Sequence, residues 1–242
     1  MTTAPKLFAV GDIHGHWVEL AGLIQTLYAR ADFRPARDTL VQLGDIVDGG
    51  PDTRRVVEWC MEMPARHPHC VFLKANHEDM LLDAVRHHGR TYGDFYMWWG
   101  QGGRETGESY LRGVRATPYE RRIMQPRDYI PAAHLDWLEA RPLYHETDRH
   151  IFVHAGLRPG RALAAQARED LLWIREEFIA SDDDFGGKRV IFGHTPMREP
   201  LVRPNKIGID TMYFNVGKLT AVELSGDEPI FYHQAAAAGP WR

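Results

Sequence analysis

The chain has 242 residues, of which 44% are hydrophobic and 26% charged, and its formal net charge is −4. The length predicts one large domain, and the composition is typical of a soluble globular protein. A mildly acidic chain argues against nucleic-acid binding, and no apolar run predicts a membrane span or a secretory signal. Two cysteines exclude a disulfide framework and favour a cytoplasmic location.

Short apolar runs alternate with amphipathic stretches in the first half of the chain. They predict strands at 6–10, 39–43 and 70–74, followed by helices around 17–27, at 53–63 and at 78–88. Strand–helix–strand units that repeat at about 30 residues predict a largely parallel sheet and an α/β fold.

The pattern changes over residues 92–144, where glycine and aromatic residues predict a mostly helical insertion within a single domain, 1–242. A helix is predicted around 168–179. Further strands are predicted at 150–154, 189–192, 207–210, 218–224 and 229–233. The alanine-rich tail, 234–242, is predicted to be frayed.

Five predicted strands run directly into polar residues of the kinds that bind metals. The motifs are GDIHG after 6–10, GDIVDGG after 39–43, ANHE after 70–74, His154 at the end of 150–154, and GH after 189–192. Any one of them is most often a turn. In open α/β sheets, however, ligands bind beyond the carboxyl ends of the strands, so the five together predict one site.

The residue types in these motifs indicate the chemistry of that site. Six side chains are too many for one cation that keeps a position open for substrate, so two divalent cations bridged by Asp45 are predicted. Two cations clamp the phosphoryl group in a displacement, and a water between them loses its proton near neutral pH and becomes the nucleophile. Mixed nitrogen and oxygen ligands suit manganese, with iron or zinc as alternatives. The six are Asp12, His14, Asp45, Asn76, His154 and His194.

In this order, and over about residues 6–224, the motifs resemble those of the metallophosphoesterases. The chain is most similar to the short bacterial and bacteriophage members of the Ser/Thr-type phosphoprotein phosphatases, with which it shares WIRE at 173–176. The resemblance implies a four-layer α/β/β/α sandwich. It also implies His77 as the general acid, Asp48 as the residue that orients it, and Arg175 as a phosphoryl ligand.

The resemblance further implies how the metal ligands divide. Asp12 and His14 would bind the first cation, and Asp45 would bridge to the second. The ligands of the second cation would be Asn76, His154 and His194.

Three positions depart from the family pattern. Gly49 stands in place of an arginine that contacts the phosphate, so one charged contact is missing. Arg54 or Arg55 could replace it, although a charged residue on a helix surface is the simpler interpretation. Ala75 and Met212 each stand where the family has glycine.

The function predicted is hydrolysis of phosphoserine and phosphothreonine monoesters, extending to phosphotyrosine and small aryl phosphates. The substrate would be a phosphorylated protein or a small phosphoester. A symmetrical dinucleoside tetraphosphate hydrolase is one alternative, and a weakly catalytic scaffold that binds phosphorylated partners is another. Outside the site, His16, His87 and His88 are predicted to be solvated helix residues.

Overall fold

Two mixed β-sheets form the centre of the protein, in a computed structural model that describes residues 4–86, 92–213 and 216–236. The first sheet has β1–β3 parallel to one another, whereas β9, β10 and β11 are antiparallel additions. In spatial order its strands are β11 (Ile230–Ala235), β10 (Val216–Glu223), β1 (Leu7–Val10), β2 (Thr39–Gln42) and β3 (Cys70–Phe72), with β9 (Met212–Tyr213) beside β10.

The second sheet has a parallel centre and antiparallel edges. Its order is β4 (Tyr144–Glu146), β5 (His150–Val153), β6 (Arg189–Phe192), β8 (Lys206–Gly208) and β7 (Leu201–Val202). The largely parallel sheet that the sequence predicts is therefore found as two parallel strand triplets, one in each sheet.

Helices lie in four of the connections between described strands, namely β1–β2, β2–β3, β3–β4 and β5–β6. In chain order they are α1 (Trp17–Arg30), α2 (Thr53–Arg66), α3 (Asn76–Arg86), α4 (Tyr92–Trp98), a π-helical turn (Trp99–Gly103), α5 (Arg104–Leu111), α6 (Pro118–Ile123), α7 (Pro126–Tyr129), α8 (Ala132–Glu139), a 3-10 turn (Leu163–Ala165), α9 (Arg168–Trp173) and α10 (Glu176–Ile179). No helix within the described ranges combines the length and the apolarity needed to cross a bilayer. His87 and His88 lie outside the described residues.

The side chains of the central strands alternate between different cores, which creates the layers. In β1, Phe8 packs into the core beneath α1 and α2, whereas Ala9 packs into the core between the two sheets. In β5, Phe152 packs between the sheets and Ile151 packs into the core beneath α9 and α10. Strands that are buried on both faces need helices outside them. The predicted four-layer α/β/β/α sandwich is confirmed.

The single helix predicted around 168–179 is wrong, because the chain breaks between α9 and α10. Ile174 has an extended ψ of 140°, and Arg175 has φ −130° and ψ −96°, which is not helical. The break allows Ile174 and Phe178 to be buried in the same outer core while Arg175 lines a cavity. Helical periodicity alone does not register such an interruption.

Two predicted strand ends also differ from the structure. The strand predicted at 207–210 ends at Gly208, so Asp210 lies beyond it. The tail predicted to be frayed from 234 still pairs with β10, through Gln234 opposite Leu219 and Ala235 opposite Lys218. The remainder of that tail, 237–242, is outside the described residues.

A buried lysine anchors the end of α10, and its removal should be costly. The Lys206 ammonium group donates to the carbonyl oxygens of Phe178 and Ser181, the latter at 2.7 Å, and it lies 4.5 Å from the centre of the Phe178 ring. We expect K206M to lower the free energy of unfolding by about 3 kcal/mol, because these carbonyls would lose their donor. Urea unfolding measures this, with K218M at an exposed ion pair as the control; equal losses would contradict the assignment.

Candidate metal centre and active site

The carboxyl ends of β1, β2, β3, β5 and β6 meet at one edge of the two sheets, around a cavity of about 360 Å³. The structure brings together all nine residues predicted for the site, as cavity-lining side chains or as their direct partners. They are Asp12, His14, Asp45, Asp48, Asn76, His77, His154, Arg175 and His194.

Asp45 lies between two groups of side chains that could hold a metal ion. One group is His14, Asp45 and His77, the other is Asp45, His154 and His194, and within each the ligand atoms lie within 4.8 Å of one another. Asp45 Oδ2 is 3.4 Å from His14 Nε2 and 3.6 Å from His154 Nε2. A carboxylate that belongs to both groups is suited to bridging two cations.

Asp12 carries a buried oxygen that lacks a hydrogen-bond partner. Its Oδ2 accepts from the His194 main-chain N–H at 2.9 Å, but Oδ1 has no partner among the described residues. Nearby, Asn76 Oδ1 lies 2.7 Å from His154 Nε2 and 3.1 Å from His194 Nδ1. An unsatisfied buried carboxylate oxygen is costly, and a divalent cation would satisfy it. The donor set therefore fits the implied metals.

The electrostatics of the site also favour cations. Burial, together with the nearby negative charge of Asp210, raises the pKa of Asp12 well above its ordinary value, and burial with the charge of Asp12 does the same to the pKa of Asp45. Burial and the adjacent Arg175 lower the pKa of His194 to about 3, so this imidazole is neutral at physiological pH. Neutral imidazoles and crowded carboxylates are the ligand forms that bind metals.

Several site residues have a backbone conformation that L-residues rarely adopt. The φ angles of His14, Asp45, Asp48 and His194 are 46°, 52°, 68° and 61°. The Asp45 carbonyl helps to hold the first two loops together, because it accepts from the N–H groups of Ile13 at 3.0 Å and His14 at 2.8 Å. Strain of this kind persists only where the surroundings enforce it, and it concentrates at functional sites.

Glu78 organises the loop after β2, a role that the sequence does not predict. Its fully buried carboxylate accepts from the main-chain N–H groups of Asp45, Ile46 and Val47 at 3.0, 2.8 and 3.1 Å. It also accepts from the N–H of Ala75 at 3.0 Å. The only sequence signal is an acidic residue in the first turn of a helix. Such a residue usually interacts favourably with the helix dipole and has no further role.

Two further residues of the cavity were missed. The prediction that His16 is solvated is wrong: it is 7% exposed, lines the cavity, and has its Nδ1 3.1 Å from the Ile13 carbonyl oxygen. His16 directly precedes α1, so it lies in the loop before the helix. The helical pattern of α1 gives no information about whether this loop residue is buried. Asp210 is 3% exposed and also lines the cavity. Asp210 comes just after β8, as Asp12 and Asp45 come just after β1 and β2, so its place at the carboxyl end of a strand is the signal that could have identified it.

His77 and Asp48 form a hydrogen-bonded pair at one side of the cavity. His77 Nδ1 is 2.9 Å from Asp48 Oδ2, which leaves Nε2 facing the cavity, 4.0 Å from Asp45 Oδ2. Elsewhere in the cavity, Arg175 Nε donates to His194 Nε2 at 3.1 Å, with Trp173 beside the same imidazole. This arrangement places a proton carrier and a guanidinium beside the candidate metal ligands.

Neither arginine considered as a replacement at Gly49 lies in the cavity. Arg54 pairs with Glu58 at 2.8 Å, and the guanidinium of Arg55 lies 4.3 Å from the centre of the Trp17 ring. Gly49 itself has φ 80°, and a Cβ added there would meet only the His14 Cβ, at 3.7 Å. Space beside His14 is therefore open, but a side chain at this position would be strained.

The departure at Ala75 adds no backbone strain to the site. Ala75 is not among the described residues with positive φ, so it is not strained. Its methyl group packs against Gly44, where an added Cβ would come within 2.5 Å of it. Met212 lies in β9, and its side chain is outside the described residues.

Comparison with known proteins identifies the family. The model of the calcineurin-like phosphoesterases matches residues 5–222. The chain belongs to this family. The resemblance to metallophosphoesterases that the motifs suggested is thereby confirmed, and the phosphoesterase has the candidate ligands for the divalent metals that the family uses.

Individual relatives of this phosphoesterase differ in their substrates. It is 28% identical to serine/threonine-protein phosphatase 1 of Salmonella typhimurium strain LT2, with 90% of this chain and 91% of that protein covered. It is 26% identical to the symmetrical bis(5'-nucleosyl)-tetraphosphatase of Methylobacillus flagellatus, covering 79% of this chain and 57% of that protein. A solved structure of a candidate diadenosine tetraphosphatase superposes with a TM-score of 0.67 at 22% identity, covering 98% of this chain and 96% of that one.

Proposed function

We propose that this phosphoesterase is a dinuclear-metal phosphatase for phosphoserine and phosphothreonine monoesters, with phosphotyrosine and small aryl phosphates as further substrates. The observation that carries the proposal is Asp45, which is shared by two groups of candidate metal-binding side chains, one of which includes His77 of the His77–Asp48 pair. The substrate would be a phosphorylated protein or a small phosphoester, and the cations would be manganese, with iron or zinc as alternatives.

The proposed division of the metal ligands is the one that the family resemblance implies. Asp12, His14 and Asp45 would hold one cation, and Asp45 would share the second with Asn76, His154 and His194. When bound, two divalent cations neutralise phosphoryl charge and lower the pKa of a water.

The remaining chemistry belongs to the protein. Arg175 would bind phosphoryl oxygens with its guanidinium. His77, held through Nδ1 by Asp48, would carry a proton on Nε2 and donate it to the departing oxygen of the ester. The Asp48 carboxylate would stabilise the imidazolium form that this transfer requires.

The size and charge of the cavity support a monoester over a dinucleotide. A volume of about 360 Å³ lies at the small end of ligand pockets, and Arg175 is the one lysine or arginine that lines it in the described part of the chain. A dinucleoside tetraphosphate carries several negative charges on its phosphate chain and a nucleoside at each end. Most of such a ligand would extend beyond the cavity, and one arginine would face its several charges.

Steady-state assays of the manganese-loaded protein test the proposal. Phosphoserine, phosphothreonine and phosphotyrosine peptides and p-nitrophenyl phosphate would be compared with diadenosine tetraphosphate. We expect kcat/KM to be at least about tenfold higher for a phosphopeptide than for the dinucleotide, a difference of about 1.4 kcal/mol in transition-state stabilisation. Exclusive cleavage of the dinucleotide would overturn the proposal and establish the tetraphosphatase alternative.

A further inference from the structure

The carboxylate of Asp48 is held from two sides. The side chain is fully buried, and its Oδ2 faces His77 Nδ1 at 2.9 Å. Its Oδ1 accepts from the Trp98 indole N–H at 3.0 Å and from the Thr106 hydroxyl at 2.8 Å. Trp98 and Thr106 belong to α4 and α5, which lie in the helical segment between β3 and β4, so residues far along the chain complete the environment of Asp48.

The same helical segment also holds the backbone at Asp48. The Asp48 N–H donates to Thr106 Oγ1 at 3.0 Å, so one hydroxyl bonds both the main chain and the side chain of this residue. The next N–H, of Gly49, donates to the Gly102 carbonyl at 3.1 Å. Asp48 has φ 68°, and a strained conformation of this kind requires several independent contacts to enforce it.

The approach between the two backbones is close enough to require glycine. A Cβ on Gly102, whose φ is 99°, would come within 2.6 Å of the Gly49 nitrogen. The π-helical turn that contains Gly102 is therefore fitted to the loop that carries Asp48, which argues against chance contact between two surfaces.

From this geometry we propose that Trp98 and Thr106 are positioning residues for proton transfer by His77. Their two hydrogen bonds fix the rotation of the Asp48 carboxylate and stabilise its charge, so Oδ2 stays aimed at His77 Nδ1. The inference rests on the proposed function, in which His77 protonates the leaving oxygen. It extends the active site to a helical segment that the sequence predicts only as part of the insertion over 92–144.

A merely structural role for these residues makes a different prediction. If Trp98 and Thr106 only support the fold, their loss would slow every substrate equally. If they position the proton donor, the loss depends on how much the leaving group needs a proton. Phenyl phosphate and p-nitrophenyl phosphate differ in this respect, because phenolate is the poorer leaving group and depends more on general acid catalysis.

The test compares T106V and W98F with the unmodified, manganese-loaded protein on these two substrates. We expect kcat for phenyl phosphate to fall about 10–100-fold, with a clearly smaller fall for p-nitrophenyl phosphate and little change in KM. T106S retains the hydroxyl and should recover most of the activity. W99F is the matched control, because Trp99 stacks on Phe95 in the same segment without bonding Asp48.

A double variant tests whether Thr106 acts through the Asp48 carboxylate. In a D48N background, T106V should add no further dependence on the leaving group, since the carboxylate that Thr106 positions is already gone. Metal content and thermal unfolding are measured for each variant, and W98F carries the test if T106V does not fold.

Equal losses on both substrates, with metal content unchanged, would overturn the inference. Absence of phosphomonoesterase activity in the unmodified protein would instead overturn the proposed function.

Discussion

Replacing His77 by asparagine is expected to lower kcat for a phosphoserine peptide by about 10²–10⁴-fold, the usual contribution of a general acid. Asparagine is shorter and carries no titratable proton, so nothing at this position would protonate the serine oxygen as it leaves. Asp48 would keep its hydrogen bonds from Trp98 and Thr106, so the surrounding loop should persist. The loss should be smaller for p-nitrophenyl phosphate, whose leaving group departs as the anion.

This variant also separates an enzyme from a scaffold. H77N should retain both metals, measured by elemental analysis, because the six proposed ligands are other residues; loss of a metal would instead assign His77, which is grouped with His14 and Asp45, to metal binding. The matched control is H69N, since His69 is exposed and precedes β3 at the end of the strand opposite the cavity. A scaffold that recognises phosphorylated partners would show unchanged partner affinity and no activity to lose. Unchanged kcat in H77N, in an active protein, would contradict the role proposed for His77.

Removing the metals is expected to destabilise the protein strongly. With free metal at about 100 times its dissociation constant, each occupied site adds about 2.7 kcal/mol. For a chain of this size that corresponds to a shift in Tm of about 5–10 °C per site. Thermal unfolding with manganese and after chelation measures the shift. D45N should abolish most of it, because Asp45 belongs to both ligand groups, whereas D136N, at an exposed carboxylate on α8, should not.

The size of this shift should depend on pH. Burial raises the pKa values of Asp12 and Asp45 in the folded, metal-free protein, so the folded state holds more protons than the unfolded state between the ordinary and the raised values. Stability of the metal-free protein therefore falls as pH rises through that window. The ligands also bind cations more tightly once deprotonated. The difference in Tm should be larger at about pH 7.5 than at about pH 5.

Metal analysis provides an independent check on the same model. Two cations per chain are expected after reconstitution with manganese. A stoichiometry near one, with full activity, would contradict the paired site, and a Tm that is insensitive to chelation would contradict metal binding at Asp12 and Asp45.

Much of the site could be predicted because its residues follow strands. Asp12, Asp45, Asn76 and His194 each come two residues after an apolar run that predicts a strand. Parallel strands bring their carboxyl ends to one edge, so short-range sequence patterns were enough to predict that these side chains meet. The layered fold and the family were predicted from the resemblance of these motifs to those of the metallophosphoesterases, and the family model matches the chain.

The parts that escaped prediction depend on contacts between distant segments. Trp98 and Thr106 reach Asp48 across 50 and 58 residues, and no local pattern encodes such pairings. Glu78 has the sequence signature of an ordinary acidic residue at a helix start, yet its carboxylate lies beneath the loop at 45–47. The break before Arg175 also depends on tertiary packing, since burial of Ile174 and Phe178 in one core overrides the local helical preference.

The separation of the site residues along the chain has a consequence for biosynthesis. Asp12 and the main chain of His194, joined by a hydrogen bond in the folded protein, are 182 residues apart. At ordinary translation rates about 10–40 s separate their emergence from the ribosome. During that interval the nascent polypeptide exposes Asp12, His14 and Asp45 without their later partners. In the proposed site, complete loading with cations would therefore wait until about four fifths of the 242 residues have been made.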